Sequence, residues 1–271
     1  MKAGIVTHPL IRKLENFTPL AEGERQAVLD AIGPALRFGP RENIVREGGS
    51  ADGTPLMPDG LVCVLEGLIC RYKLLPDGRR QILAYLVPGD LCDLRLFILK
   101  QMDHGIATLA PASVAVISRE RILELTNTYP GITRAFWWAA LVEEATTREW
   151  LVNVGQRTAF ERLAHLICEM FYRLGAVNLA DDERCELPLT QAELADTLGL
   201  STVHVNRTLQ DLRRAGFITL RGKNLVIHDL PALQRAAMFN PRYLQLGCDP
   251  FSADPMAGNL PAPALRDVAS L

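Results

Sequence analysis

TQAELADTLGLSTVHVNRTLQDLRRAGFI, running from Thr190 to Ile218, reads as two short helices joined by a glycine turn. Thr190 is followed three residues later by Glu193, the spacing of a capping box in which each side chain satisfies a backbone N–H at the helix start. Leu194, Ala195 and Leu198 then give an apolar stripe at helical spacing. Gly199 supplies the turn, because it takes a positive φ at little steric cost. Ser201 is placed to cap the second helix. On that helix Val205, Leu209 and Leu212 face a core, and Val203, Asn206, Arg207 and Gln210 lie on the opposite face. Beyond it, Phe217, Ile218 and Leu220 and then Leu225, Val226 and Ile227 flank Arg221-Gly222-Lys223-Asn224, a hairpin with a basic tip. The whole is the pattern of a winged helix-turn-helix.

The outward face of the second helix carries chemistry suited to base edges. Asn, Gln and Arg match the donor and acceptor patterns of adenine and guanine, and an apolar group can touch a thymine methyl. Between Leu200 and His228 the cations are Arg207, Arg213, Arg214, Arg221 and Lys223, against Asp211 alone, in a chain whose net charge is −2. A basic patch on a mildly acidic protein fits local phosphate neutralisation. The expected DNA contacts are therefore Ser201, Thr202, Val203, His204, Asn206, Arg207, Gln210 and Arg213, with Arg221 and Lys223 on the hairpin. The competing reading is a small helical hairpin with a solvated charged face. Two cap signals, the turn glycine and the wing agree with one another, and that agreement favours the DNA reader.

The 271 residues suggest one large or two modest domains, and 48% hydrophobic with 22% charged residues describes a globular chain with real cores. The longest wholly apolar run, Phe136 to Val142, is far too short to span a bilayer. The opening MKAGIVTHPLIRKLENF lacks the apolar run of a signal peptide, so the cytoplasm is expected and no membrane partner is. The six cysteines, Cys63, Cys70, Cys92, Cys168, Cys185 and Cys248, form no CxxC pair and have no histidine at zinc-ligand spacing. Reduced, buried thiols are expected. Cys185, just before the helix-turn-helix, is weighed against a redox role.

An enzyme is the main rival class. A metal-holding barrel needs several inward histidines, and of His8, His104, His165, His204 and His228 only His104 lies in the barrel region. No nucleophile elbow, phosphate-binding glycine loop or HExxH motif is present. No catalytic residue, metal site or cofactor is therefore expected.

The rest of the chain falls into α+β segments. Residues Leu10 to Ile32 look helical. From Phe38 to Ile117 short strand candidates, Leu61–Leu65, Leu68–Leu75, Gln81–Leu86 and Ser113–Ile117, alternate with Gly/Pro/Asp turns, which argues for a sandwich or barrel. Pro76-Asp77-Gly78 is the clearest hairpin turn. A long helix is expected from Gly131 to Asn153, where Trp138, Leu141, Ala145 and Val152 occupy the a and d positions of a pairing seam with Arg148 as its polar interruption. A break at Asn153 to Arg157, containing Gly155, is the expected hinge. A further helix from Ala159 to Leu174 starts at a second capping box, Thr158 and Glu161. The expected organisation is a β-roll over 10–128, a dimerisation helix over 129–154, a winged helix-turn-helix over 158–237 and a flexible tail over 241–271.

This order of parts resembles the Crp/Fnr family of bacterial transcription regulators, over roughly Asn16 to Asp229. The most specific pieces are Leu83-Ala-Tyr-Leu-Val-Pro-Gly-Asp90 and the LTQAELADTLGLSTVHVNRTLQDLRRAGFI block. The resemblance implies a cyclic-nucleotide-binding-like β-roll (a double-stranded β-helix), a long dimerisation helix, and a homodimer that reads a two-fold site on double-stranded DNA. RNA polymerase is the further partner such a regulator would meet. The family's nucleotide contacts do not carry over. Its Glu position falls on Leu94, with Asp93 one residue off, its Arg position on His104 and its Ser/Thr position on Gly105. A buried phosphate needs a paired cation, because an uncompensated buried charge costs several kcal/mol. The pocket is therefore expected to be degenerate and not to take cyclic AMP. An unknown small effector, a protein partner or constitutive binding all stay open. The first cysteine, Cys63, does not match the N-terminal cysteine cluster of the family's iron–sulfur sensors. His104 as a haem ligand is weighed against a structural histidine, and the structural role is expected. On the second helix of the motif Val203 stands where many relatives have Glu, and Arg207 is kept.

Overall fold

Pro19 divides the first helical stretch in two. In a computed structural model, which describes residues 8–48, 60–92, 94, 102–181 and 183–246, helix α1 (Pro9–Glu15) ends before Pro19 and α2 (Glu22–Ala31) starts after it. Proline has no N–H to give a helix interior and pushes the residue before it out of the helical region.

Among the described residues eight strands follow. They are β1 (Leu36–Phe38), β2 (Asn43–Val45), β3 (Gly60–Glu66), β4 (Ile69–Leu74), β5 (Arg80–Leu86), β6 (Leu91–Cys92), β7 (Gly105–Thr108) and β8 (Ala112–Ser118). They form two antiparallel sheets in the orders β1-β8-β3-β6 and β2-β7-β4-β5. All four strand candidates are present within a residue or two of their expected ends, and the Pro76-Asp77-Gly78 turn joins β4 to β5 with Gly78 at φ +85°. The shortest strands, β1, β2 and β6, carry too few residues to show a period of two. Ile44, Val64, Ile69, Leu86, Ile106 and Val114 fill the space between the sheets.

Helix α3 (Arg119–Thr128), capped by Ser118, precedes α4 (Pro130–Gln156). Proline opens α4, where its missing N–H costs nothing. The expected break over Asn153 to Arg157 falls at its last residue: α4 runs through Gly155, and Arg157, at φ −80° and ψ 147°, and Thr158 are extended. Arg157 donates to Glu149 Oε1 at 2.6 Å, and Asn153 Nδ2 donates to the Arg162 carbonyl at 3.3 Å.

Helix α5 (Ala159–Ala176) begins at the Thr158–Glu161 capping box, with Thr158 N–H donating to Glu161 at 2.7 Å. Then come β9 (Arg184–Glu186), α6 (Gln191–Leu198), α7 (Thr202–Arg214), β10 (Ile218–Arg221), β11 (Asn224–Ile227) and α8 (Leu230–Ala237). The expected tail starts later than Pro241. Pro241–Leu244 form a 3-10 turn with Leu244 buried, and residues 247–271 lie outside the described residues. Among the described residues no helix is long and apolar enough to cross a membrane.

The outer face of the β4–β5–β7 sheet and the C-terminal unit share one core. Cys70, Ile82 and Tyr85 pack with Leu163, Phe171, Leu194 and Leu209. The reading head is thereby seated on the β-roll through apolar burial, worth about 25 cal/mol per Å² of apolar surface removed from water.

Candidate nucleic-acid interface and the β-roll interior

The motif closes locally, as its sequence dictates. Thr190 Oγ1 accepts from Glu193 N–H at 3.2 Å, and Glu193 returns the bond to Thr190 N–H at 2.7 Å. Gly199 ends α6 in the left-handed region at φ 63° and ψ 37°. Ser201 caps α7 by accepting from His204 N–H at 3.2 Å. Val205, Leu209 and Leu212 are buried beneath α7.

The opposite face of α7 is open. Thr202, Val203, His204, Asn206, Arg207 and Gln210 are all exposed, and Val203 reaches 76% exposure, which an apolar side chain of a well-packed surface seldom does. Along the helix the face offers a methyl pair at Val203, an amide at Asn206, a guanidinium at Arg207 and a second amide at Gln210. Arg221 and Lys223 are exposed at the β10–β11 turn, where Gly222 takes φ +59°. Arg213 is placed differently from its neighbours. It is half-buried and donates to the Leu220 carbonyl at 2.7 Å, so it ties α7 to the wing. Strand β9 joins as a third strand beside β11, with Cys185 opposite Leu225. Nothing in its three residues signals a strand alone; only pairing makes it one.

The head is fixed to the β-roll by polar contacts from β5 to α6. Arg80 Nε donates to Asp196 at 2.8 Å, Gln81 Nε2 donates to the Thr197 carbonyl at 3.1 Å, and the Tyr85 and Thr197 hydroxyls are hydrogen-bonded. These contacts hold α6 and leave the outward face of α7 clear.

Inside the β-roll the groups expected to stand at the nucleotide positions are these. Leu94 is buried among α1 and α3 residues, and Asp93 lies outside the described residues. His104 is buried, and its Nδ1 is 2.7 Å from Asp103 Oδ1. A side chain at Gly105 would set its Cβ 2.4 Å from Tyr72 Cζ, so the ring of Tyr72 dictates glycine there. Tyr72 is itself held by donating to Asn43 Oδ1 at 2.7 Å. The sequence did not point to Arg71, a buried cation of the β-roll. It donates to Glu143 on α4 at 3.0 Å and to the Leu91 carbonyl at 3.2 Å, so its charge is already matched. The cavity beside it, lined by Lys13, Arg71, Asp90, Leu94, Glu143 and Arg173, measures about 70 Å³ among the described residues.

On α4 the outward stripe differs from the expected seam. Leu141, Arg148 and Val152 are exposed and Ala145 is half-exposed, but Trp138 turns toward its own chain and stacks on Phe17 with ring centroids 6.1 Å apart. Trp137 and Leu151 take the outer positions, at 63% and 70% exposure. Three adjacent aromatics and aliphatics left the register ambiguous in sequence; the packing of α1 on α4 decides it.

The five described cysteines are buried and none is in a disulfide. Burial pushes the Cys185 thiol up to about 12, against the thiolate that redox chemistry requires. Cys248 lies outside the described residues.

Two family models match the chain. Residues 161–236 match a Crp-like helix-turn-helix domain, and residues 36–129 match a cyclic nucleotide-binding domain. The chain is 32% identical over 157 residues to the nitrogen fixation regulation protein FixK of Bradyrhizobium diazoefficiens, spanning 58% of this chain and 65% of that relative. It is 30% identical to the transcriptional activator protein FnrL of Cereibacter sphaeroides over 62% of this chain and 68% of that one. The solved structure of FixK2 from Bradyrhizobium japonicum is similar with a TM-score of 0.65 and 26% identity, over 75% of this chain and 96% of that chain.

Proposed function

This chain belongs to the Crp/Fnr family of DNA-binding transcriptional regulators, and on that premise we propose that it reads a two-fold DNA site as a homodimer, without cyclic AMP as its trigger. The observation that carries the reading is the open face of α7, where Val203, Asn206, Arg207 and Gln210 stand clear of the β-roll. Such a helix enters the major groove with its N-terminal residues toward base edges, and a two-fold pair places two of them about one DNA turn, ~34 Å, apart. Arg207 is the guanine contact. Val203 in place of a carboxylate removes an acceptor for the cytosine amino group and offers a methyl contact to thymine, so the half-site differs from that of relatives with Glu there.

Selection of bound duplexes from a random pool tests this directly. The expected result is an inverted repeat whose half-site changes at one position when Val203→Glu is introduced. A pool with no enriched inverted repeat overturns the reading.

The β-roll argues against cyclic AMP. Arg71 is paired with Glu143, the His104 ring is hydrogen-bonded to Asp103, and the Tyr72 ring crowds any side chain at residue 105. Calorimetric titration with cyclic AMP is expected to give no binding heat, and micromolar binding overturns the claim. A second reading, DNA binding that is constitutive or set by a protein partner, is favoured by the same pairing of Arg71 with Glu143. Full binding by the purified protein, unchanged by metabolite extract, supports it; enhancement by extract supports a small effector. No catalytic role, metal or cofactor is proposed. The site of action is the cytoplasm, where the bound dimer would recruit or block RNA polymerase.

A further inference from the structure

Helix α4 buries one face and leaves the other bare. Ile132, Ala135, Phe136, Val142, Trp150 and Asn153 are buried against their own chain. Arg134, Trp137, Leu141, Glu144, Arg148 and Leu151 are exposed and recur at alternating spacings of three and four, the a/d rhythm of a two-helix seam. Its apolar members are Trp137 and Leu141 in the first half and Leu151 at the C-terminal end, each 54–70% exposed. Between them sit two charges. Arg148 Nη1 donates to Glu144 Oε1 at 2.5 Å, and both side chains are about three-fifths exposed. On a solvated helix such an i,i+4 pair contributes only a few tenths of a kcal/mol. In the middle of an apolar stripe it does something else.

We propose that Glu144 and Arg148 form a self-complementary polar layer that fixes the register and the partner of the α4 seam, Arg148 of each protomer exchanging its own carboxylate for Glu144 of the partner subunit. The inference rests on the homodimer reading above. The occupant of the face is a second copy of this chain because the face matches itself. In a parallel, in-register pair the a and d positions meet their own counterparts. Each charge then faces its own kind across the axis, and the opposite charge of the partner subunit lies one turn away, so two Glu144 and two Arg148 form a four-charge cluster of zero net charge, flanked by Trp137 and Leu141 on one side and Leu151 on the other. Sliding one helix by a heptad sets Glu144 against Leu151 and Arg148 against Leu141. That buries unpaired charge, which is far more costly than leaving it in water. A partner without the matching pair meets the same penalty, so the layer excludes wrong partners as well as wrong registers. Both reading heads leave the same end of α4, and a two-fold DNA site requires that parallel arrangement.

Charge reversal tests the layer. Glu144→Arg gives a homodimer with four cations in the layer, and Arg148→Glu gives one with four anions. Both positions are exposed in the single chain, and circular dichroism melting checks that each variant still folds. Sedimentation of the full-length wild type, each variant alone and an equimolar mixture is the measurement. The expected result is a wild-type dimer, at least tenfold weaker self-association for each variant, and recovery of dimer in the mixture, where the charges balance again. Single variants that self-associate as tightly as wild type overturn the layer while leaving the dimer intact. Weakened variants whose mixture does not recover overturn the cross-pairing. A wild type that is monomeric overturns the dimer reading itself, and the layer with it.

Discussion

Arg207 and Val203 lie one turn apart on the open face of α7, and their chemistry makes opposite predictions. A guanidinium that reads guanine is needed only on sequences with guanine at that position. Arg207→Ala is therefore expected to cost about 1–3 kcal/mol of discrimination between cognate and mismatched sites, measured by competition binding. Equal weakening on every sequence would mark Arg207 as a phosphate contact. Inside the β-roll, the Cβ introduced by Gly105→Ala would lie 2.4 Å from the Tyr72 ring, whose hydroxyl is held by Asn43. Overpacking of this kind costs about 1–3 kcal/mol, read as a lower urea midpoint; an unchanged midpoint would mean that the ring yields freely. The caps at Thr158, Thr190 and Ser201 were legible because each bond spans three residues. The partners of Arg71 were not: Glu143 lies 72 residues away, and no local pattern joins them.

The segment after α8 shows what composition conceals at the scale of an element. Five prolines between Pro241 and Leu271 suggested a tail, yet the first turn of that region straps the junction of α4 and α5. Tyr243 donates to the buried Glu169 at 2.8 Å and stacks on the buried His165 with ring centroids 6.0 Å apart. Glu169 also accepts from Trp150 Nε1 on α4 at 2.9 Å and from Arg173 on α5 at 3.3 Å. The carboxylate joins three elements, and each donor stabilises the others' geometry. Tyr243→Phe keeps the ring stacking and removes one charge-assisted bond, and is expected to lower stability by about 1–2 kcal/mol. The unfolding midpoint measures it, and a loss no larger than that of an exposed tyrosine would show that the strap does not hold. The long helices, the β-roll strands of six or seven residues and the winged motif were readable because their periods repeat several times. Strand β9, the 3-10 strap and the outward register of α4 were not. Each is decided by what it packs against, and a proline-rich or doubly apolar stretch is compatible with more than one packing.

At the scale of the whole molecule, one carboxylate ties the N-terminal helix, the β-roll and the reading head together. Asp90 pairs with Lys13 of α1 at 2.8 Å and with Arg173 of α5 at 2.8 Å, and accepts from Val87 N–H at 2.8 Å. Burial alone would raise its pKa, but the two cations and the backbone donor outweigh burial and hold it at about 2. Glu149, at the α4–α5 junction, is lowered to about 2 by His165 Nε2, 3.2 Å away, and by the hydrogen bond from Arg157, against the opposing effect of burial. An unfolded aspartate titrates near 4, so a folded-state value of about 2 means that the native protein binds fewer protons than the unfolded chain between those pH values. The stabilisation is fully present above about pH 4 to 5 and is lost as the pH falls toward 2. For Asp90 it is on the order of 2 kcal/mol, about half of it gone by pH 3. Asp90→Asn keeps the shape and removes the charge. It is expected to be less stable than the wild type at pH 6, and to lose less stability than the wild type between pH 5 and pH 3. Urea unfolding at the three pH values measures both differences. Parallel losses in the two proteins would mean that Asp90 does not carry the acid sensitivity, and that the α1, β-roll and α5 contacts are held by apolar burial alone.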